Sequence, residues 1–351
     1  MKTAQKRFKV ETLYILGAGA SFALTETKPR KGKRSRHTTP LDKDFLRSLS
    51  VFSSRGWQKE DFEKVQSNWL GRSDFLGSGL EEAIIKRVSA FEFLSETHPR
   101  RLRGKCRNED YLIWLTCLIS NYLTQCKESP SGFAETFVKQ VFPHEKVEKQ
   151  QNRIISFNYD LIIDKHLILR RFSNQDIYFQ GIESAQRPSP KKRDFPLLLK
   201  LHGSVNWRCP ATYFKNLING TLQDNPIINI SVENENTPRP HDDEAALIIP
   251  PIPSKPITKA GMFAFLWTRA FEYLTEAKRI VIAGYSCPET DAYARVLFSQ
   301  FRNSEAFEVV IVDPSTQVLD KYMELMKNCF GSKTKWRYQR SFKEFISSEP
   351  D

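Results

Sequence analysis

The stretch Leu13–Ser21, LYILGAGAS, constrains this chain more than any other. Leu13, Tyr14, Ile15 and Leu16 form a short apolar run, the pattern of a strand buried on both faces of a parallel sheet. Gly17 and Gly19 end it, with Ala18 and Ala20 beside them. Residues this small let the backbone turn tightly and come close to a ligand. A helix starting there points its unpaired N–H groups and its dipole at whatever sits on the turn, which suits a pyrophosphate. A dinucleotide fingerprint reads G-x-G-x-x-G, and here Phe22 stands at the last glycine position. Alone, the stretch fits a ligand-binding turn and a purely structural strand–turn–helix corner equally.

The 351 residues have room for one large α/β domain, or for one domain with a sizeable insertion. A net charge of +12 suits an acidic partner, whether nucleic acid, nucleotide or an acidic protein surface, and equally suits a soluble protein with a basic face. Cys106, Cys117, Cys126, Cys209, Cys287 and Cys329 include no C-x-x-C pair, which excludes a zinc ribbon and a thioredoxin-type motif. Several lie in apolar runs, where free cysteine behaves as a small hydrophobe. The polar, basic start MKTAQKRFK does not read as a signal peptide, and no apolar run is long enough to span a membrane. The expectation is a cytoplasmic protein with reduced thiols and no membrane partner.

Lys28–His37, KPRKGKRSRH, reads as a solvated basic loop or as a segment reaching a phosphate chain or nucleic acid. Thr39-Pro40-Leu41-Asp42 reads as a helix start. Helical periodicity then dominates to about Gln150, clearest in Leu80–Leu94, Tyr111–Leu123 and Phe133–Val141. Short apolar strands follow at Arg153–Phe157, Leu197–Leu201, Ala246–Ile249, Arg279–Ala283 and Glu308–Val312. Helices are predicted for LIIDKHLILR, about Met262–Ala277 and AYARVLFSQF. This alternation predicts an α/β fold, a parallel sheet covered by helices, with an all-helical insertion after the first strand. The implied division is a sheet domain of residues 1–38 and 151–351 and a helical insertion subdomain of 39–150.

Small or polar residues end these strands: GAGAS, FNYD, LHGS, GYS and DP. In open α/β sheets ligands bind outside the carboxyl ends of the strands, so these five groups are expected to converge on one crevice. His202 is suited to general-base work there, with an unperturbed pKa of about 6.5, although a structural histidine capping a strand end fits as well. Asn158 can orient a ribose hydroxyl or a water through both ends of its amide. Asp160 and Asp291 fit either an ionised carboxylate near the site or a helix N-cap. Ser21 and Ser286 can donate to phosphate or ribose oxygens.

Taken together, GAGAS (17–21), SFNYD (156–160), KLHGS with Asn206-Trp207, the Ile-Pro-Pro loop (249–251), AGYSCPETD (283–291) and Val312-Asp313-Pro314 resemble the sirtuin-like superfamily. The set is closest to its bacterial branch of NAD-consuming antiphage-defence effectors. The resemblance implies a Rossmann-like NAD-binding domain in which Gly17, Ala18, Gly19 and Ser21 hold the phosphates, with Asp160 beside them. It implies Asn158 and His202 as the catalytic pair, and Gly284, Tyr285, Ser286 and Asp313 on the adenosine side. The protein-deacylating sirtuins carry a four-cysteine zinc module that this chain lacks, which argues against peptide deacylation, and no metal is expected. The implied function is an NAD glycohydrolase that depletes NAD in antiphage defence under control of a partner or of assembly. Implied partners are a second copy of the chain, a helicase-type (HerA-like) ATPase or an Argonaute-like protein, with nucleic acid through the basic surface. The alternative is a non-catalytic NAD/ADP-ribose-binding or nucleic-acid-binding subunit of a defence complex.

Overall fold

Val10–Leu16 (β1) is the hub of the molecule, and Leu13 and Ile15 within it are completely buried. The computed structural model describes residues 9–25, 42–53, 57–70, 75–77, 79–126, 128, 132–179, 195–221, 228–230, 243–250, 252 and 261–348. The other strands are Arg153–Ser156 (β2), Leu198–Lys200 (β3), Gly203–Pro210 (β4), Asn229–Ile230 (β5), Glu244–Ile248 (β6), Ala277–Ala283 (β7), Glu308–Val312 (β8) and Lys335–Gln339 (β9). A six-stranded sheet has the order β3-β2-β1-β7-β8-β9, with every register parallel. That is the 3-2-1-4-5-6 order of the Rossmann-like doubly wound sheet. Its switch point lies between β1 and β7.

Helices cover both faces. Tyr14 of β1 meets Phe137 of the Phe133–Val141 helix edge-on at 5.4 Å, and Phe137 meets Phe342 of the Phe342–Ser348 helix at 5.2 Å. The Gly261–Glu276 helix packs on β1, β3 and β7. Between Ala18–Thr25 and β2 the described residues form only helices and single turns, chiefly Asp42–Phe52, Trp57–Ser67, Leu80–Thr97, Asn108–Thr124 and Phe133–Val141. Asn108–Thr124 is buried along its length and rests on β4, β6 and the Ala211–Asn219 helix. All six cysteines are free, and all but Cys106 are buried. No described helix is long and apolar enough to cross a membrane.

Three departures from the sequence expectation have physical causes. The run expected at Ala246–Ile249 is β6, which belongs to a separate antiparallel sheet of order β5-β4-β6 rather than to the parallel sheet. A wholly apolar run carries no signal of strand direction. What sets it is Gly203, at φ +80°, which turns the chain straight from β3 into β4, where a Cβ would lie 2.1 Å from the Leu247 carbonyl oxygen. β4 itself and β9 (KWRYQ) were not expected; β9 is a half-exposed edge strand whose mixed polar composition hides it. The basic run Lys28–His37, the helix start Thr39–Leu41 and Pro251 lie outside the described residues.

Candidate active site

The switch point is built from backbone against backbone. Gly17 N–H donates to the Ala283 carbonyl (3.0 Å), Gly19 N–H to the Gly284 carbonyl (2.9 Å) and Gly284 N–H to the Val312 carbonyl (2.9 Å). A Cβ on Gly17 would lie 2.5 Å from Gly284 O, and one on Gly284 2.2 Å from Ala20 N. Gly284 also holds φ +60°, the left-handed region that glycine enters without steric cost. The glycines of GAGAS and AGYS are therefore required first by the contact between the two turns. Ala18, at the first position of its helix, is exposed, while the Gly19 and Ala20 N–H groups of that first turn already donate to the Gly284 and Gly17 carbonyls. Cys287 follows in the same loop with φ +47°, a conformation costing a non-glycine residue about 1–2 kcal/mol.

Asn158, just past β2, is locked onto this corner. Its Nδ2 donates to the Gly17 carbonyl (2.8 Å) and to Ser21 Oγ (2.7 Å). Ser21 in turn donates to Asp160 Oδ2 (2.7 Å), and Asp160 Oδ1 accepts from Ile162 N–H (3.1 Å) at the start of the Ile162–Leu169 helix. Both amide hydrogens of Asn158 are thus committed within the protein, which fixes the amide orientation and presents Oδ1 as an acceptor. Asp160 braces Ser21 and accepts from the first N–H of the next helix, although the N-cap position itself is held by Leu161. Ser21 is buried and orients Asn158.

His202 follows β3 and is 7% exposed. Its Nε2 lies 3.2 Å from Asp291 Oδ2, and Asp291 is 2% exposed. Asp291 also accepts from Tyr285 Oη (2.7 Å) and, through Oδ1, from Ala294 N–H (3.4 Å) at the start of the Ala292–Gln300 helix. With the carboxylate accepting at Nε2, the lone pair of a neutral imidazole sits on Nδ1. Phe157, the residue before Asn158, meets the His202 ring edge-on at 5.3 Å and stacks on Tyr285 at 3.9 Å. Trp267 and Tyr159 complete an aromatic surround, and the His202 carbonyl accepts from Ile249 N–H (2.8 Å). The loop after β7 therefore folds back to reach the loops after β2 and β3.

Burial, reinforced by the Asp291 carboxylate, raises the Tyr285 phenol well above its ordinary range, so it stays a donor. Asp313, at the end of β8, is raised by burial against the lowering effect of the Ser315 N–H. Ser286 is exposed. Behind the site, Lys200 is buried and its Nζ donates to the Asp160 carbonyl and pairs with Asp164 Oδ2 at 3.3 Å. Thr290 bonds Glu81 of the helical insertion, which thereby touches the loop carrying Asp291.

The structure brings some of the expected residues together, whereas Ala18 and Ser286 are exposed and Asp313 bonds Ser315 and Gln339 instead. Gly17, Gly19, Ser21, Asn158, Asp160, His202, Gly284 and Tyr285 belong to one connected network. Tyr285 sits in it as a buried anchor for Asp291. The pairing of Asp291 with His202 was not legible, because capping accounts for an aspartate before a helix without any partner. Phe157 and Trp267 were likewise invisible, since an aromatic beside a strand reads as core.

No protein-family model and no curated protein matches this chain. Among solved structures, a crystal structure of Sir2 in complex with the inhibitor EX-527, 2'-O-acetyl-ADP-ribose and a deacetylated p53 peptide is similar over 96% of this chain and 91% of that one. The identity is 13% and the TM-score 0.33. The fold is defined by the strand order of the parallel sheet.

Proposed function

We propose that the chain binds NAD at the β1–β7 switch point and hydrolyses it to nicotinamide and ADP-ribose. The observation that carries this reading is the buried His202–Asp291 pair, joined through the Phe157 ring to the locked amide of Asn158 at the ends of neighbouring parallel strands. A structural histidine capping a strand end needs no buried carboxylate beside it. The motif resemblance to the sirtuin-like superfamily supports the choice of NAD.

In the proposed reaction the bond between C1′ of the ribose and the nicotinamide nitrogen breaks, and nicotinamide departs as a neutral ring with the bonding pair. It is cationic in NAD, so no general acid is needed. Water forms the new bond to C1′ through an oxocarbenium-like transition state, as in glycoside hydrolysis. His202 takes the proton released by that water, a role typically worth about 10²–10⁴-fold. Asp291 holds the ring and stabilises the imidazolium as it forms. Asn158 Oδ1 accepts from the water or from a ribose hydroxyl. The aromatic surround limits competing solvent around the pair.

The setting as an antiphage effector, held in check by a partner or by self-assembly, belongs to the same proposal and is supported by the motif resemblance. The test is nicotinamide release from NAD by the purified chain, alone and with candidate partners. The reading expects stoichiometric nicotinamide and ADP-ribose in at least one condition. NAD binding without nicotinamide in any condition would replace it with the binding-module reading.

A further inference from the structure

The Leu80–Thr97 helix is followed by a tight turn, Pro99–Leu102, and by a connection into the Asn108–Thr124 helix. Residues 98–107 read HPRRLRGKCR, with Arg100, Arg101, Arg103, Lys105 and Arg107 and no carboxylate. The four arginines are exposed. Among the described residues Arg100, Arg101 and Arg103 form no ion pair, and Arg107 reaches Glu109 only at 4.0 Å.

This connection is braced from beneath. Arg87, completely buried, donates from Nε to the Asn68 carbonyl (2.8 Å), from one terminal nitrogen to Asn108 Oδ1 (2.7 Å) and from the other to the Cys106 carbonyl (2.8 Å). Asn68 Oδ1 accepts from Cys106 N–H (2.7 Å), and Lys105 Nζ donates to the Ser67 carbonyl. The Arg87 guanidinium also lies over the Tyr111 ring at 4.8 Å. Every oxygen it bonds is neutral, so its charge adds to the five above it. Five cations on one braced ten-residue connection, with a sixth buried beneath it, repel one another, and a polyanion offsets that repulsion. Arginine predominates, the side chain that grips phosphate bidentately. Leu102 and Cys106 within the stretch are half-buried, and the one large exposed apolar side chain beside it, Phe93, is a lone residue rather than an apolar face.

We propose that the braced connection His98–Arg107 binds the phosphate backbone of nucleic acid without regard to sequence. The surface lies on the helical insertion and stands apart from the NAD reading. The test is fluorescence anisotropy of the full chain with a labelled oligothymidylate over about 50–200 mM salt. The wild type is expected to bind with an affinity that falls steeply as salt rises. The triple variant Arg100→Glu/Arg101→Glu/Arg103→Glu should bind at least about tenfold more weakly and lower the log–log salt slope by about 2, as three lost phosphate contacts on a single strand require. A control triple, Lys327→Glu/Lys333→Glu/Lys335→Glu, removes the same net charge from exposed lysines elsewhere and should bind within about threefold of wild type. If charge reversal unfolds the chain, Arg100→Gln/Arg101→Gln/Arg103→Gln gives the same readout. Absence of binding by the wild type, equal loss in the two triples, or competition by polyglutamate or anionic vesicles as strong as by unlabelled nucleic acid would each overturn the proposal.

Discussion

At the scale of single residues, Ser21 shows how the site divides its work. Its one hydrogen goes to Asp160 while its oxygen accepts from Asn158. Ser21→Ala removes both bonds, so nicotinamide release should fall by about tenfold or more through a misplaced Asn158, with a stability loss of about 1–2 kcal/mol by urea denaturation. Gly284→Ala meets backbone at 2.2 Å and forces a left-handed φ on a residue with a Cβ. The expected loss is about 2–4 kcal/mol, and wild-type stability in that variant would contradict the account of the corner. Asn158 and His202 were legible in the sequence because strand ends in a parallel sheet converge. Asp291 was not, since its pairing with His202 depends on how a loop folds back, which no spacing encodes.

At the scale of elements, β3 does more than carry His202. Its last residue, Lys200, forms an ion pair with Asp164 in which both side chains are 1% exposed. Breaking such a pair by removing one partner typically costs about 3–5 kcal/mol, because it leaves a buried charge uncompensated. Lys200→Met should destabilise by that order, and Lys200→Met/Asp164→Leu should recover much of the loss. An additive double variant would show that the pair is not coupled. The short runs RIISF, LLLKL, RIVIA and EVVIV were legible as strands because each is apolar, short and bounded by turn residues. Direction was not: β6 has the same apolar character, yet Gly203 places it in the antiparallel sheet. β9 was missed because an edge strand keeps polar residues to blunt its free edge.

At the scale of the whole molecule, alternation of strands and helices predicted a helix-covered parallel sheet, and the order β3-β2-β1-β7-β8-β9 realises it. Sequence alone could not place the switch point, because which strands neighbour β1 is decided by crossovers spanning the entire chain. Buried tyrosines give the fold a pH signature. Tyr178, Tyr285 and Tyr322 are all raised well above their ordinary range, chiefly by burial. They ionise in the unfolded chain from about pH 10 but remain protonated when folded. The folded state then holds more protons, so stability should be unaffected by these groups below about pH 9 and fall as pH rises past 10. Each contributes a slope of about 1.4 kcal/mol per pH unit, and Tyr285→Phe should remove one share of it.

The central claim is that the His202–Asp291 pair performs NAD cleavage. Its most direct measurement is nicotinamide release under single turnover by wild type, His202→Ala and Asp291→Asn, with NAD affinity measured in parallel. Asparagine keeps the helix cap that Asp291 provides, so the variant isolates the loss of the carboxylate. The account predicts near-wild-type NAD binding in both variants, with release slowed by about 10²–10⁴-fold. Release at the wild-type rate in either variant would contradict it.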